Sequence, residues 1–313
     1  MTMTTSRRVA RWCKRAVRSW QLYVFLLIPV AYLLIFNYYP MFGIQIAFKK
    51  YNMSKGIWGS PWIGLKNFQR FFASYQFERI IGNTLIISFY TLLASFPIPV
   101  VLALGLNAMR SERYKKLIQN VLYLPHFIST IVLIGIMYQL FNPRTGVYGI
   151  VYSAINEGQY APNIIGQASS FRHFYVWSGV WQSMGWSSII YIAALSGVDR
   201  ELHEAAQIDG ASRVQRLWHE DVPHLLPTVS IMLILRMGSI MSVGFEKVYL
   251  MQNNLNLPTS EVISTYVSKV AMASGTSDFS SSTAIDMFNS LVNLLLLVTV
   301  NGISKRLSQT SLW

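Results

Sequence analysis

Acidic residues, which can make charged contacts with a partner, are concentrated in one segment of the chain, residues 199–221. This segment holds six of the thirteen acidic residues of a protein whose net charge is +13. The six are Asp199, Glu201, Glu204, Asp209, Glu220 and Asp221. Carboxylates at this density, beside the small residues Ala205 and Ala206, suit close approach and charge-assisted contacts with a partner surface. The alternative interpretation is a solvated connector between two helices.

Sequence patterns for catalysis, nucleotide binding and metal binding are missing. The nearest approach to a P-loop, Gly59–Lys66, lacks the Gly-Lys-Ser/Thr ending that positions a phosphate-binding lysine. His203 and Glu204 match the first two residues of the H-E-x-x-H motif of zinc proteases, but Gln207 occupies the position of the second histidine. The single cysteine, Cys13, excludes a cysteine-based zinc site. We therefore expect no catalytic residue, no metal site and no cofactor in this chain.

The local chemistry of the acidic segment predicts its backbone structure. Asp199 can cap a helix that runs to Asp209, and Gly210 allows the left-handed turn that ends it. Ser212 and Gln215 then have the spacing of a capping box for a second helix. The segment is thus predicted to form two short helices joined by a tight glycine corner.

Six apolar runs on either side of this segment are long enough to cross a bilayer, which needs ~20 mostly apolar residues. Charged residues make up 12% of the chain and apolar residues 52%, a balance unsuited to a water-covered surface. We predict an all-α, polytopic membrane protein with six transmembrane helices. The approximate bounds of the spans are 21–40, 80–106, 117–141, 173–198, 222–245 and 285–304.

The basic residues predict the orientation of these spans. Fifteen Lys and Arg residues lie on the side of the two termini and ten on the other side, over longer loops. Cytoplasmic loops carry such an excess, so both termini and segment 199–221 are expected in the cytoplasm. Residues 1–19 alternate basic and apolar side chains at helical spacing, which predicts an amphipathic helix on anionic lipid ahead of a transmembrane domain at 20–313. The positive charge therefore favours lipid over nucleic acid as the partner.

Polar residues inside two spans are candidates for a solute path. Arg236 is the one formal charge well inside a span, and such charges usually face a partner or an aqueous path. Ser239, Ser242 and Glu246 follow at intervals of three or four, which predicts a polar stripe on one helix face. Snorkelling of Arg236, or its pairing within the bundle, is the alternative.

The fourth span places Gln182, Ser183 and Trp186 on one face. An aromatic ring beside amide and hydroxyl groups suits a carbohydrate, whereas hydrogen bonding between helices is the alternative role of the two polar residues. Asn289 and Asn293 share a face of the last span and are weaker candidates.

The order of residues in the acidic segment resembles the EAA loop of ABC importer permeases. The matching residues are Glu204, Ala205, Ala206, Asp209, Gly210, Ala211, Leu217 and Pro223. In that family the loop is a coupling helix that docks into a cleft on the ATPase subunit, so the resemblance implies this role here. Trp218 and His219 depart from the usual pattern, where aliphatic residues or phenylalanine stand.

Motifs over most of the chain resemble the carbohydrate branch of this family, which includes permeases for large oligosaccharides. They lie at 37–43, 47–49, 59–68, 83–85, 123–129, 244–246 and 311–313. The resemblance implies a type I ABC importer fold in a bacterial inner membrane. It also implies a second, homologous permease in a heterodimer, two ATPase subunits that bind ATP and Mg, and an extracytoplasmic solute-binding protein. The alginate importer belongs to this branch, so an acidic oligosaccharide is the narrower expectation for the substrate.

Three other functions are weighed against this one. An ABC permease for amino acids, peptides or ions would carry much the same coupling loop. A secondary transporter or channel would show internal repeats, which the sequence lacks. A membrane enzyme has no supporting motif.

The six basic residues of the first outer loop oppose the orientation rule, and attraction of an acidic sugar or binding protein by Lys49, Lys50 and Lys55 would explain them.

Overall fold

The computed structural model describes residues 18–109, 111–198, 200–272 and 278–307. These residues are nearly all helical, and their only strand-like pairing is an isolated bridge between Lys49 and Trp62. The predicted all-α class is therefore confirmed. The predicted amphipathic helix at residues 1–19 falls almost wholly outside the described residues.

The helices follow one another with short connections. They are α1 Trp20–Leu33, α2 Gly56–Gly59, α3 Lys66–Phe72, α4 Phe77–Ser95, α5 Pro97–Asn107, α6 Glu112–Tyr123, α7 Thr130–Leu140, α8 Val147–Ile155, α9 Ala168–Leu195, α10 Arg200–Ile208, α11 Arg213–Arg216, α12 Val222–Met237, α13 Phe245–Met251, α14 Leu257–Ser260, α15 Ile263–Met272 and α16 Phe279–Leu307. Wider π-turns occupy Leu34–Tyr38 and Leu217–Asp221, and 3-10 turns occupy Tyr39–Phe48 and Leu124–Phe127.

Among the described residues, three helical stretches are long and apolar enough to cross a membrane: Trp20–Phe48, Phe77–Asn107 and Phe279–Arg306. A fourth crossing is possible if Glu112–Phe127 and Thr130–Leu140, which meet at 98°, form one broken span. The break follows from Pro125, which cannot continue the helical hydrogen bonds of α6. The predicted span at 117–141 is therefore bent, and its crossing of the membrane stays a prediction.

Two further predicted spans differ from a simple apolar helix. The helix α9 has 28 residues, but polar side chains such as Arg172, His173 and Gln182 lower its mean hydropathy. The helix α12 has only 16 residues and ends at Met237. The six-span count thus stays a prediction.

The long helix α9 is the centre of the bundle, where it packs against α4, α5, α6 and α12. Small residues on α9 permit this close packing. A Cβ atom at Gly185 would lie 2.1 Å from the carbonyl oxygen of Leu122 in α6, so only glycine fits. By contrast, α1 buries none of its side chains against the rest of the chain, which suits a helix that contacts lipid or another subunit.

Buried ionic contacts join the helices at the predicted outer side. Glu261 is 1% exposed and forms an ion pair with Arg79 of α4. The Asn83 amide donates to the Glu261 carbonyl (3.1 Å) and accepts a hydrogen bond from Arg172 of α9 (2.8 Å). Because each of these residues bonds a residue of another element, the network joins α4, α9 and the start of α15.

The first outer loop does not present all of its lysines to solvent. Lys49 is only 2% exposed; its Nζ donates to the Ile57 carbonyl (2.8 Å) and lies 4.8 Å from the centre of the Trp62 ring. Lys49 is therefore a packing residue, which contradicts its expected role in attracting an acidic partner. Lys50 and Lys55 are exposed and retain that expectation.

The close contact at Gly185 generates a stability prediction. Replacing Gly185 with alanine forces the Leu122 backbone away and should destabilise the protein by about 1–3 kcal/mol. Gly105→Ala is the matched control, because its Cβ would meet nothing within 4 Å on α5, and alanine favours a helix. The thermal midpoint in detergent should fall for Gly185→Ala and stay level or rise for Gly105→Ala. Equal midpoints would show that α6 and α9 do not meet as closely as described.

Candidate functional site

The first half of the acidic segment forms the predicted helix and glycine corner. The helix α10 is closed by two hydrogen bonds, from Gly210 N–H to Gln207 O (3.1 Å) and from Ala211 N–H to Ala206 O (2.9 Å). This pair of bonds is a Schellman motif, which requires a left-handed residue, and Gly210 has a φ of +81°. The prediction of a glycine exit is confirmed. The capping residue Asp199 lies outside the described residues.

The second half begins with the predicted capping box. The Ser212 hydroxyl accepts from the Gln215 N–H (3.3 Å), and the Gln215 side chain accepts from the Ser212 N–H (2.7 Å). The short helix α11 then continues through the π-turn Leu217–Asp221 into α12. His219, one of the two unusual residues, hydrogen-bonds the Gln215 carbonyl (2.9 Å) and so fits the turn.

The acidic segment has an anchored base and an exposed tip. At the base, Asp221 is 4% exposed and accepts a hydrogen bond from Asn107 of α5 (3.4 Å). At the tip, the residues of α10 that resemble the EAA loop face solvent. The exposed residues there are Glu204, Ala205, Asp209 and Gly210, with Ala206 half-buried and Ile208 exposed. The structure therefore offers small, acidic and apolar groups on one accessible surface held by a fixed base.

Two cavities meet at the side chain of Arg236. The first, of about 150 Å³, is lined by Arg236, Ser239 and Ser242, and the second, of about 230 Å³, by Arg236 and Trp186. Ser95 of α4 lines both cavities, so they are neighbours along one surface. Four of the seven predicted path residues are thus brought together.

The predicted polar stripe on one continuous helix is wrong. The helix α12 ends at Met237, residues 238–244 are non-helical, and Glu246 lies on the next helix, α13. Gly238 follows the last helical residue, and glycine is a poor helix former. Asn293 of α16 then supplies a hydrogen-bond acceptor to the Met241 N–H of the non-helical stretch. Glu246 is exposed and lines neither cavity, whereas Ser239 and Ser242 reach the first cavity from the non-helical stretch.

Gln182 and Ser183 of the fourth predicted span use their side chains to bond backbone carbonyl groups. The Gln182 amide donates to the Ile128 carbonyl (2.7 Å), at the bend before α7. The Ser183 hydroxyl bonds the Gly179 carbonyl within its own helix (2.7 Å). Neither residue lines the cavities at Arg236. Trp186 does, and it stacks on His126 with ring centres 4.4 Å apart and an interplanar angle of 3°.

Sequence reasoning missed the contribution of α4. Ser88, Thr91 and Ser95 line the cavities opposite Arg236. Their spacing of three and four residues puts them on one helix face, a signal present in the sequence. It was hidden because hydroxyl groups are common in membrane helices and usually bond their own backbone.

The backbone of residues 238–244 is held by side chains from neighbouring helices. Asn293 of α16 accepts from the Met241 N–H (2.9 Å) and donates to the Ser242 hydroxyl (3.1 Å). Ser264 of α15 donates to the Val243 carbonyl (3.0 Å). Asn293, a weaker path candidate, therefore stabilises the break beside the cavity. In the described ranges, no group of three His, Cys, Asp or Glu residues could hold a metal.

Residues 95–309 match the family of binding-protein-dependent transport system inner membrane components. The chain belongs to this family. The resemblance to importer permeases that residues 204–223 carry is thereby confirmed. Membership makes the chain a transport subunit of the inner membrane and not an enzyme, and it removes the secondary-transporter alternative.

Relatives match the permease over nearly its whole length. Protein LplB of Bacillus subtilis is 38% identical over 99% of this chain and 96% of its own. The polygalacturonan/rhamnogalacturonan transport system permease protein YteP of the same species is 36% identical over 96% of this chain and 92% of its own.

Solved structures support the fold. A chain of a bacterial ABC transporter involved in import of the acidic polysaccharide alginate matches with a TM-score of 0.85 and 37% identity. The match covers 95% of this permease and 99% of that chain. A related structure, of an alginate ABC transporter with an alginate pentasaccharide-bound periplasmic protein, matches with the same TM-score and 36% identity. The permease therefore has the predicted ABC importer fold.

The contrast between two asparagines of α16 gives a second prediction. Asn293→Leu leaves the buried Met241 N–H without its acceptor, which should cost about 1–3 kcal/mol. Asn289→Leu is the control one turn away: Asn289 Oδ1 is buried without a hydrogen-bond partner in the described structure, so its removal should cost little. Thermal unfolding of the detergent-solubilised protein distinguishes the two variants. A larger loss for Asn289→Leu would contradict the described role of Asn293.

Proposed function

We propose that this permease is one half of a heterodimeric ABC importer that carries an oligosaccharide across the bacterial inner membrane. An extracytoplasmic solute-binding protein delivers the sugar, and two partner ATPase subunits bind ATP and Mg. The observation that carries the proposal is the acidic segment with its anchored base and exposed tip, because an accessible surface on a fixed support suits binding by a partner protein. The close match to subunits of known importers supports the same assignment.

The tip of the acidic segment is the docking surface for an ATPase. Ala205 and Ala206 allow close approach of the partner, while Glu204 and Asp209 supply charge pairs at its edge. ATP-driven closure of the ATPases draws the two coupling helices together. The movement rocks the helix bundles, so that the cavity opens outward, takes the sugar and later releases it inward.

The cavities at Arg236 form part of the sugar path. Trp186 provides an apolar ring face, Ser239 and Ser242 provide hydroxyl groups, and Arg236 provides a positive charge. The substrates named for two relatives, polygalacturonan and alginate, are acidic polysaccharides, and the cation suits such a sugar. We therefore assign an acidic, alginate-like oligosaccharide as the substrate class.

The orientation follows from the basic residues and the docking surface together. Both termini lie in the cytoplasm, on the same side as the acidic segment, where ATP is available. The first outer loop faces the solute-binding protein with Lys50 and Lys55 exposed. Accessibility of single cysteines placed in segment 199–221 and in the outer loop would test this arrangement from each side of the membrane.

Reconstitution tests the function as a whole. The permease, its partner permease, the two ATPases and the cognate solute-binding protein are assembled in proteoliposomes with ATP. We expect uptake of uronic acid oligosaccharides that depends on both ATP and the binding protein. Uptake of amino acids or peptides in place of sugars would refute the substrate assignment.

Docking through the exposed tip predicts the effect of a charge reversal and a bulky substitution. Glu204→Lys and Ala205→Leu should each lower co-purification of the ATPases and sugar-stimulated ATP hydrolysis at least about tenfold, since small losses at a tight interface suffice. Both residues are exposed, so the thermal stability of the permease should not change.

Glu112→Lys is the matched control for this experiment. It reverses an exposed charge on the same predicted side of the membrane, outside the acidic segment, where Glu112 makes only a weak surface pair with Lys115 (3.8 Å). Full ATPase binding by the Glu204 and Ala205 variants would show that another surface couples the subunits.

A further inference from the structure

The cation at the junction of the two cavities has no counter-ion within the described part of the chain. Arg236 forms no ion pair with a described carboxylate, and no acidic residue lines either cavity. A guanidinium group inside a membrane protein is costly unless it faces water or an anion. The site is thus prepared for a negative charge that this chain does not supply.

Hydroxyl groups with unused hydrogen-bonding capacity face the same space. Ser88 is 6% exposed, and its Oγ has no hydrogen-bond partner; the same holds for the buried Oγ1 of Thr91. Both line the cavity of about 150 Å³ together with Arg236. A buried polar atom without a partner destabilises a protein, so such atoms are rare unless a ligand or water completes them.

Other hydroxyls of the membrane helices bond the backbone. On the same helix, Thr84 Oγ1 donates to the Ile80 carbonyl (2.7 Å) and accepts from the Ile263 N–H (3.1 Å). On α16, Thr299 Oγ1 donates to the Leu295 carbonyl (2.7 Å). The unpartnered hydroxyls of α4 are therefore those that face the cavity of Arg236.

We propose that Arg236, Ser88 and Thr91 form a subsite that binds the carboxylate of a uronic acid unit during translocation. This proposal rests on the proposed function and names the group of the sugar that the permease recognises. A guanidinium group binds a carboxylate through two parallel N–H···O bonds, and hydroxyl donors satisfy the remaining lone pairs of the carboxylate oxygens. A neutral sugar would leave the charge of Arg236 without compensation.

The test uses the assembled complex of both permeases and both ATPases in detergent, without the binding protein. The probes are an alginate pentasaccharide and the same sugar after its carboxylates have been reduced to alcohols. Titration of the complex with each probe gives two affinities. The ratio of the affinity for the acidic sugar to that for the reduced sugar measures recognition of the carboxylate. We expect Arg236→Gln to lower this ratio about tenfold or more. Arg236→Lys should lower it less, because lysine keeps the charge but loses the second parallel hydrogen bond.

Variants of the hydroxyl groups test the second half of the subsite. Ser88→Ala and Thr91→Val should each weaken binding of the acidic probe about tenfold at most and leave binding of the reduced probe unchanged. Thr299→Val is the matched control, because it removes a hydroxyl of a membrane helix that is already bonded within its own helix. Equal affinities for Thr91→Val and Thr299→Val would overturn the role of α4.

Two further outcomes would overturn the role of Arg236. Equal losses of affinity for both probes in Arg236→Gln would show that the residue only maintains the structure. Failure of Arg236→Gln to assemble with the second permease, with assembly restored by Arg236→Lys, would show that a partner carboxylate is the counter-ion. Failure of the proposed function is a separate result, because wild-type proteoliposomes would then take up no oligosaccharide with the binding protein present.

Discussion

The constraint that shapes this permease is that no backbone N–H or C=O group can be left unsatisfied in the hydrocarbon of a bilayer. It explains why the described chain is nearly all helical and why the break at residues 238–244 needs outside help. Asn293 and Ser264 reach across from α16 and α15 to bond that backbone. Non-helical backbone within a bilayer is tolerated only where protein or a water-lined cavity surrounds it. The cavity at Arg236 lies beside this stretch, so the break and the candidate sugar path depend on the same side chains.

The position of the acidic segment connects the proposed docking surface to that cavity. The segment joins the end of α9 to the start of α12, and these two helices carry Trp186 and Arg236. At its base, Asp221 is buried and accepts a hydrogen bond from Asn107 of α5. The helix α9 also packs against α4, which carries the hydroxyls of the cavity. The proposed docking surface is therefore linked by packed helices to the walls of the cavity that α4, α9 and α12 form.

Features determined by neighbouring residues could be predicted from the sequence, whereas features determined by distant contacts could not. Gly210 and the Ser212–Gln215 pair specify their turns locally, and the structure has both. The end of α12 depends on α16, whose Asn293 bonds the Met241 N–H and the Ser242 hydroxyl beyond it. Periodicity alone therefore extended the helix through Glu246. The expectation that Lys49 attracts an acidic partner failed for the same reason. Its charge is evident from the sequence, whereas its burial against Trp62 arises only in the fold.

A translocation site must bind its substrate strongly enough to replace water and weakly enough to release it. The composition of the cavities at Arg236 fits both requirements. One cation with neutral hydroxyls compensates a single carboxylate, whereas several cations would hold an acidic chain too firmly for passage. Stacking on Trp186 tolerates sliding, because a ring face offers a broad contact without a fixed direction. In the proposed subsite, selectivity for charge and low retention of the sugar therefore depend on the same small set of side chains and on the presence of a single cation.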